Sequence, residues 1–195
     1  MAQLGITYIN SKLTIQPDII RTDYDGSEVM GVWEKPLMYR YAELVNQSQG
    51  HILEVGFGLG LFASRCHQIG CKSYTIVESH PDILPYLFEW SKDKPEVSVI
   101  AGDWHDCLEE INSQKYDSIF FDTHLDPSRP KFRSLVVDQS LDNNGVFGYF
   151  TMGDGDVFEY GDKLQTETMK LKTSTDSDYG GAEMEFIVST YTNIN

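Results

Sequence analysis

Positive charge is scarce in this chain: 15 lysines and arginines face 30 aspartates and glutamates, a formal net charge of −15. Such a field repels nucleic acid and anionic membrane surfaces, so neither is expected as a partner, whereas a cationic substrate is attracted. Cysteine is also sparse. Cys66, Cys71 and Cys107 are odd in number and lack paired ligand spacing, so neither a disulfide framework nor a zinc site is indicated, and no metal is expected. No apolar run approaches bilayer length, and Met1-Ala2-Gln3-Leu4-Gly5 has no basic region before an apolar core, so membrane spans and secretion are not expected and a cytoplasmic location is. Repeats, low-complexity tracts and linkers are missing too. With 195 residues and a hydrophobic fraction of 41%, the chain is expected to form one domain with its own core, as a monomer or a homodimer.

What is present is Leu53-Glu54-Val55-Gly56-Phe57-Gly58-Leu59-Gly60, an apolar run ending in an acid and three alternating glycines, followed by the amphipathic start Leu61-Phe62-Ala63. Strand, glycine turn and helix follow from that order. Glycine opens backbone angles closed to other residues and lets the main chain approach a ligand. Dinucleotide sites use G-x-G-x-x-G, which brings a helix N-terminus to a pyrophosphate. The form here is E-x-G-x-G-x-G, which suits S-adenosylmethionine, a cofactor without phosphate whose cationic amino-acid end an acid such as Glu54 can face. Gly56, Phe57, Gly58 and Gly60 are the loop candidates.

Periodicity predicts a helix over Glu34 to Gln47, then strand His51 to Val55, helix Leu61 to Gln68, strand Ser73 to Val77 and helix Asp82 to Trp90. Strand Val97 to Ala101, a short helix near Cys107 to Ile111, strand Ser118 to Phe121, helix Lys131 to Leu141 and strand Val146 to Thr151 continue the alternation. This is an α/β, doubly wound, mostly parallel sheet. Thr166 to Lys172 and Met184 to Tyr191, joined by the polar turn Asp176 to Gly181, predict an antiparallel strand pair closing it. The expected division is residues 1–33 as an N-terminal segment or lid, 34–152 as the cofactor-binding core and 153–195 as the C-terminal strand pair. Up to Asp25 the pattern is weak, although Ile15 to Ile20 can pack on the main body.

Ligands of such sheets bind beyond the carboxyl ends of the strands. Glu78 ends the second strand, where an acid accepts hydrogen bonds from a ribose diol; the alternative is a helix-capping carboxylate. Gly102-Asp103-Trp104 ends the third, where a carboxylate and an aromatic ring suit adenine, or equally a helix cap and a core tryptophan. Asp122 ends the fourth, after three apolar residues, and a carboxylate there needs a cationic partner or substrate.

The chain resembles the guanidinoacetate N-methyltransferases and the related fungal arginine N-methyltransferases from about Val29 to Phe150. The resemblance rests on Val29-Met30 with Trp33-Glu34-Lys35-Pro36-Leu37-Met38, on Leu53-Glu54-Val55-Gly56-Phe57-Gly58 and on Phe121-Asp122-Thr123. It implies a Rossmann-like class I methyltransferase fold, with Glu34 and Asp122 holding a substrate guanidinium as catalytic residues. It further implies Met30 and Met38 at the methionine end of the cofactor, which Asp122 also borders, Gly56 to Gly60 as its loop, Glu78 at the ribose and Gly102-Asp103-Trp104 at the adenine. Carboxylates in bidentate contact fix a guanidinium and can remove its proton, so Asp122 serves as base and anchor and Glu34 as orienter.

Thr151-Met152-Gly153-Asp154-Gly155-Asp156 stands where the family has an Asn-Leu-Thr-Ser region whose backbone holds the substrate carboxylate. Thr151 and Met152 are thus substrate-binding candidates, and Asp154 and Asp156 either face a second cation or make a turn. Val157 to Lys163 is shorter than the family's helix there, and the loop His124 to Arg129 departs from the family's. His105 and His124 border the expected pocket as proton shuttles or structural groups, and Tyr8 and Tyr24 offer aromatic cover. The expected partner is a small guanidino substrate. Three alternatives stand beside it: an arginine side chain of a protein, a cofactor-binding protein without catalysis, and a nicotinamide-dependent oxidoreductase, whose G-x-G-x-x-G is missing.

Overall fold

The computed structural model describes residues 8–126, 128–150 and 164–193. At the N-terminal end β1 (Leu13–Ile15), β2 (Ile19–Thr22) and β3 (Glu28–Gly31) form a small antiparallel sheet in the order β1-β2-β3. These strands are too short for their alternation to stand out in the sequence. Their turns carry the signal instead: Thr22 Oγ1 donates to Asp25 Oδ1 at 2.5 Å, and Gly26 takes φ +75°. A 3₁₀ turn, Val32–Glu34, leads from β3 into α1 (Lys35–Val45), with Pro36 in the first turn, where its missing N–H costs nothing.

The main sheet has seven strands: β4 (His51–Val55), β5 (Ser73–Glu78), β6 (Val97–Ala101), β7 (Tyr116–Phe121), β8 (Leu141–Tyr149), β9 (Leu164–Lys172) and β10 (Glu183–Thr192). Their order is β6-β5-β4-β7-β8-β10-β9. β4 to β8 run parallel, and β10 joins β8 and β9 antiparallel, so the doubly wound sheet and its closing strand pair are as expected. The strand order reverses beside β4, which puts the carboxyl ends of β4 and β7 next to each other: the Asp122 N–H donates to the Val55 carbonyl at 2.9 Å.

Both faces are covered because neighbouring strand residues point opposite ways. Ile52, Ile76 and Phe120 face α1 and α2 (Leu61–Ile69), where Phe62 stacks on Phe120 at 4.0 Å, and α3 (Leu84–Ser91) adds Leu87. Leu53, Val77 and Phe121 face the other layer, which holds α4 (Leu108–Ile111) and the segment after β7, where Phe132 lies 4.1 Å from Phe121.

That segment corrects one expectation. The helix predicted over Lys131 to Leu141 is a composite α5: Arg129–Phe132, a π-helical turn Arg133–Val137, and Asp138–Ser140. The widened turn buries Val136 and Val137 together, which a regular helix would splay around its axis. The strand predicted over Val146 to Thr151 begins earlier, at Leu141, and ends at Tyr149. Expectations for Thr151 to Lys163 lie outside the described residues. Among the described residues no helix is long and apolar enough to cross a membrane.

Candidate active site

A cleft of about 930 Å³ opens at the carboxyl ends of β4, β5, β6 and β7, roofed by the N-terminal sheet and by the turn between β9 and β10. Its floor is the glycine loop. Gly56 has φ +93°, and a Cβ on it would lie 1.9 Å from the Asp122 carbonyl oxygen, so only glycine lets the loop pass beneath Asp122. Gly58 has φ +54°, and a Cβ there would meet Met30 Sδ at 2.6 Å. That sulfur accepts the Leu59 N–H at 3.2 Å and so fastens β3 to the loop.

Glu78, at the end of β5, is buried and holds the loop from the other side: one carboxylate oxygen accepts the Phe57 N–H at 2.8 Å and the other the His80 N–H at 2.7 Å. Burial raises its proton affinity, which these backbone donors partly offset. After β6, Asp103 Oδ1 accepts the His105 N–H at 2.9 Å and lies 2.7 Å from His105 Nδ1. The Trp104 indole, nearly fully buried, packs 5.1 Å from Phe132 and donates to Asp126 Oδ2 at 2.7 Å.

Glu34, from the 3₁₀ turn after β3, and Asp122, just after β7, both line this cleft. Glu34 is buried, and its Oε1 accepts the Gly31 N–H at 2.8 Å. Burial, with the Asp122 and Glu28 charges adding to it, pushes its carboxyl up to about 8. In all, seven carboxylates line the cleft, and among the described residues lining it there is no lysine or arginine.

Met30, Glu34, Gly56, Gly58, Glu78, Gly102, Asp103, Trp104 and Asp122 therefore converge on one cleft. Four other candidates lie behind its wall. Met38 is fully buried in the helix-side core, and Phe57 packs on Trp90 at 5.6 Å while Gly60 starts α2. Glu54 does not line the cleft: strand alternation turns it with Ile52 toward α2, where it accepts the Tyr74 phenol and burial holds its carboxyl well above the usual range. Thr151 and Met152 lie outside the described residues.

Tyr8 supplies the expected cover, its ring 4.9 Å from His80 and 4.8 Å from His124, and its carbonyl 3.1 Å from His80 Nε2. Tyr24 stays exposed and lines no part of the cleft. Glu28 and Tyr179 also line it, and neither stood out in the sequence. Glu28 sits in a strand too short to be recognised, and Tyr179 lies in a segment whose glycines, serines and aspartates signal only a turn.

Comparison with known proteins adds lineage to this geometry. The family model described as guanidinoacetate N-methyltransferase matches residues 14–152. The chain is 36% identical to protein arginine N-methyltransferase 2 of Yarrowia lipolytica over 168 residues, covering 77% of this chain and 34% of that protein. It is 28% identical to the protein of the same name from Aspergillus fumigatus, covering 84% of this chain and 43% of that protein. It thus spans less than half the length of these curated relatives. Among solved structures, the N-methyltransferase NodS of Bradyrhizobium japonicum in complex with S-adenosylhomocysteine shares the fold with a TM-score of 0.60 at 15% identity, covering 84% of this chain and 88% of that one. Spermidine synthase of Thermotoga maritima does so with a TM-score of 0.63 at 13% identity, covering 93% and 68%.

Proposed function

Since the chain belongs to the guanidinoacetate N-methyltransferase family and is an S-adenosylmethionine-dependent methyltransferase, we propose that it methylates a guanidino nitrogen of a small cationic molecule. The observation that carries this reading is the pairing of Glu34 and Asp122 in a cleft lined by seven carboxylates and by no described lysine or arginine. Such a lining favours a cation on the acceptor, and its described residues present no lysine or arginine to an acceptor's carboxylate.

The residues fit the cofactor. Gly56 and Gly58 leave room that a Cβ would fill, and Glu78 is fixed at the strand end where a ribose is held in this fold class. In this proposal Met30, the glycine loop, Glu78 and the Gly102–Trp104 segment hold S-adenosylmethionine, which when bound supplies an electrophilic methyl on a sulfonium. Asp122 and Glu34 hold the guanidinium and aim one nitrogen. A guanidinium nitrogen is a poor nucleophile until a proton leaves, and Asp122 accepts that proton. Glu34 and Asp122 would hold that nitrogen toward the methyl the cofactor supplies, and no residue of the chain would need to form a covalent intermediate.

A second reading, an arginine side chain of a protein as acceptor, is favoured by the name of the curated relatives. Both are tested by mass spectrometry after incubation with S-adenosylmethionine and guanidinoacetate, arginine, agmatine or an arginine-containing peptide. A methyl gain on a small guanidine supports the first reading, and a gain on the peptide alone moves the assignment to the second. Binding of S-adenosylhomocysteine with no product from any guanidine overturns both.

A further inference from the structure

The turn between β9 and β10 is built to reach the cleft rather than merely to reverse the chain. Ser177 Oγ donates to the Ser174 carbonyl at 2.6 Å, the Tyr179 N–H donates to Ser177 Oγ at 3.2 Å, and Gly180 and Gly181 adopt φ +59° and +77° to bring the chain back. The turn is then clasped to the N-terminal sheet. The Glu28 N–H donates to Asp178 Oδ2 at 2.8 Å, and the Asp178 N–H donates to Glu28 Oε2 at 3.0 Å. Arg21 adds an ion pair to Asp178 at 2.7 Å and a bond to the Asp176 carbonyl. Glu28 uses its other oxygen on the Trp33 indole N–H at 2.6 Å, so one carboxylate fixes both the turn and the residue beside Glu34.

Two aromatic rings are held at the cleft as a result: Tyr179 meets Trp33 edge to face at 5.6 Å, and both line it beside Glu34. Burial and the neighbouring Glu34, Glu28 and Asp178 charges keep the Tyr179 phenol protonated, so the ring presents a neutral face.

We propose that Tyr179 is a specificity-determining residue: with Trp33 it forms an aromatic wall for the acceptor's stem and cationic plane, positioned by the clasp between Glu28 and Asp178. This rests on the guanidino reading above. A planar guanidinium and its methylenes lie well against aromatic faces, and a wall on one side of Glu34 discriminates by stem length and shape, where the carboxylates alone recognise only charge. The hairpin thus selects the acceptor, whereas the glycine loop serves the cofactor.

The test compares the wild-type full chain with Tyr179→Ala, Tyr179→Phe and Asp178→Ala. Steady-state constants are measured for guanidinoacetate, arginine, agmatine, an arginine peptide and the diamine putrescine, alongside S-adenosylhomocysteine affinity by calorimetry. Tyr179→Ala is expected to raise the KM of the preferred acceptor about tenfold, with a smaller effect on kcat, and to flatten the ranking of acceptors. Tyr179→Phe keeps the ranking, Asp178→Ala behaves like the alanine variant at Tyr179 but more weakly, and cofactor affinity stays within about twofold in all three. An unchanged ranking in Tyr179→Ala overturns the proposal, as does an equal loss of cofactor and acceptor binding. Wild-type turnover of putrescine alone sinks the guanidino reading and leaves Tyr179 to be judged on the KM of that amine. Inactivity toward every acceptor overturns both.

Discussion

Met30 Sδ accepts the Leu59 N–H at 3.2 Å, a contact that spans 29 positions and ties the small antiparallel sheet to the glycine loop of the large one. The same sulfur is what a side chain on Gly58 would strike, so strand β3 and the loop are fitted to each other. The N-terminal sheet is therefore a wall of the site.

Replacing that thioether separates packing from hydrogen bonding. Met30→Ala removes both and is expected to weaken S-adenosylhomocysteine binding about tenfold, whereas Met30→Leu keeps the volume and should cost about threefold. Titration calorimetry reads both, and unchanged affinity in the alanine variant would detach Met30 from the cofactor.

Glu34 gives the site a pH dependence. Its carboxyl is pushed up to about 8 by burial and then by Asp122, so near neutrality most of it is protonated and cannot hold a cation. The kcat/KM for a guanidine should rise as pH passes through about 8, because that ratio reports the free enzyme. The native state binds this proton more tightly than the unfolded chain, so the proton's stabilising effect is present at low pH and lost between about 4.5 and 8. Glu34→Gln should flatten the activity profile at a lower level. It should also melt later than wild type at pH 9, by an amount worth a few kcal/mol and absent at pH 4.

The parallel core was legible because β4, β5, β6 and β7 are mostly apolar runs of ordinary length, each ending at a glycine or an acid. Gly56, Glu78 and Asp122 could be brought to the cleft for that reason, since each stands at the end of a strand, whereas Glu34 was reached only through the resemblance carried by Trp33-Glu34-Lys35-Pro36-Leu37-Met38. Glu54 does not line the cleft, and the sequence could not show this because it says that Glu54 precedes the loop but not which face its strand turns inward. Tyr179 and Glu28 were invisible: what brings them to one cleft is the clasp between Glu28 and Asp178, 150 positions apart and made of main-chain donors and two carboxylates, and no local pattern encodes such a pairing.

Asp122 and Glu78 should fail differently. Asp122→Asn removes the proposed proton acceptor and is expected to lower kcat about 10²-fold or more while changing S-adenosylhomocysteine affinity by less than about tenfold. Glu78→Ala leaves the Phe57 and His80 N–H groups without their acceptor, at about 1–3 kcal/mol each. It should therefore weaken the cofactor first and lower the melting temperature by several degrees. The reverse pattern, with Asp122 controlling cofactor affinity and Glu78 only turnover, would exchange their roles.

Gly56 and Gly70 offer a matched pair for asking how much of the site depends on close backbone approach. Their φ values are nearly the same, +93° and +96°, so alanine costs each a comparable conformational penalty of about 1 kcal/mol or more. Around Gly70 a Cβ would find nothing within 4 Å, whereas on Gly56 it would sit 1.9 Å from the carbonyl oxygen of Asp122. Backbone cannot swing aside as a side chain can, so Gly56→Ala must displace the loop, the Asp122 segment or both. Gly70→Ala is expected to lose a few degrees of melting temperature and keep its activity. Gly56→Ala should lose more stability and, in the fraction that folds, both cofactor affinity and turnover, because one displacement reaches the cofactor floor and the proposed base together. If the two variants matched in stability and in activity, the tight passage beneath Asp122 would have no part in holding the site.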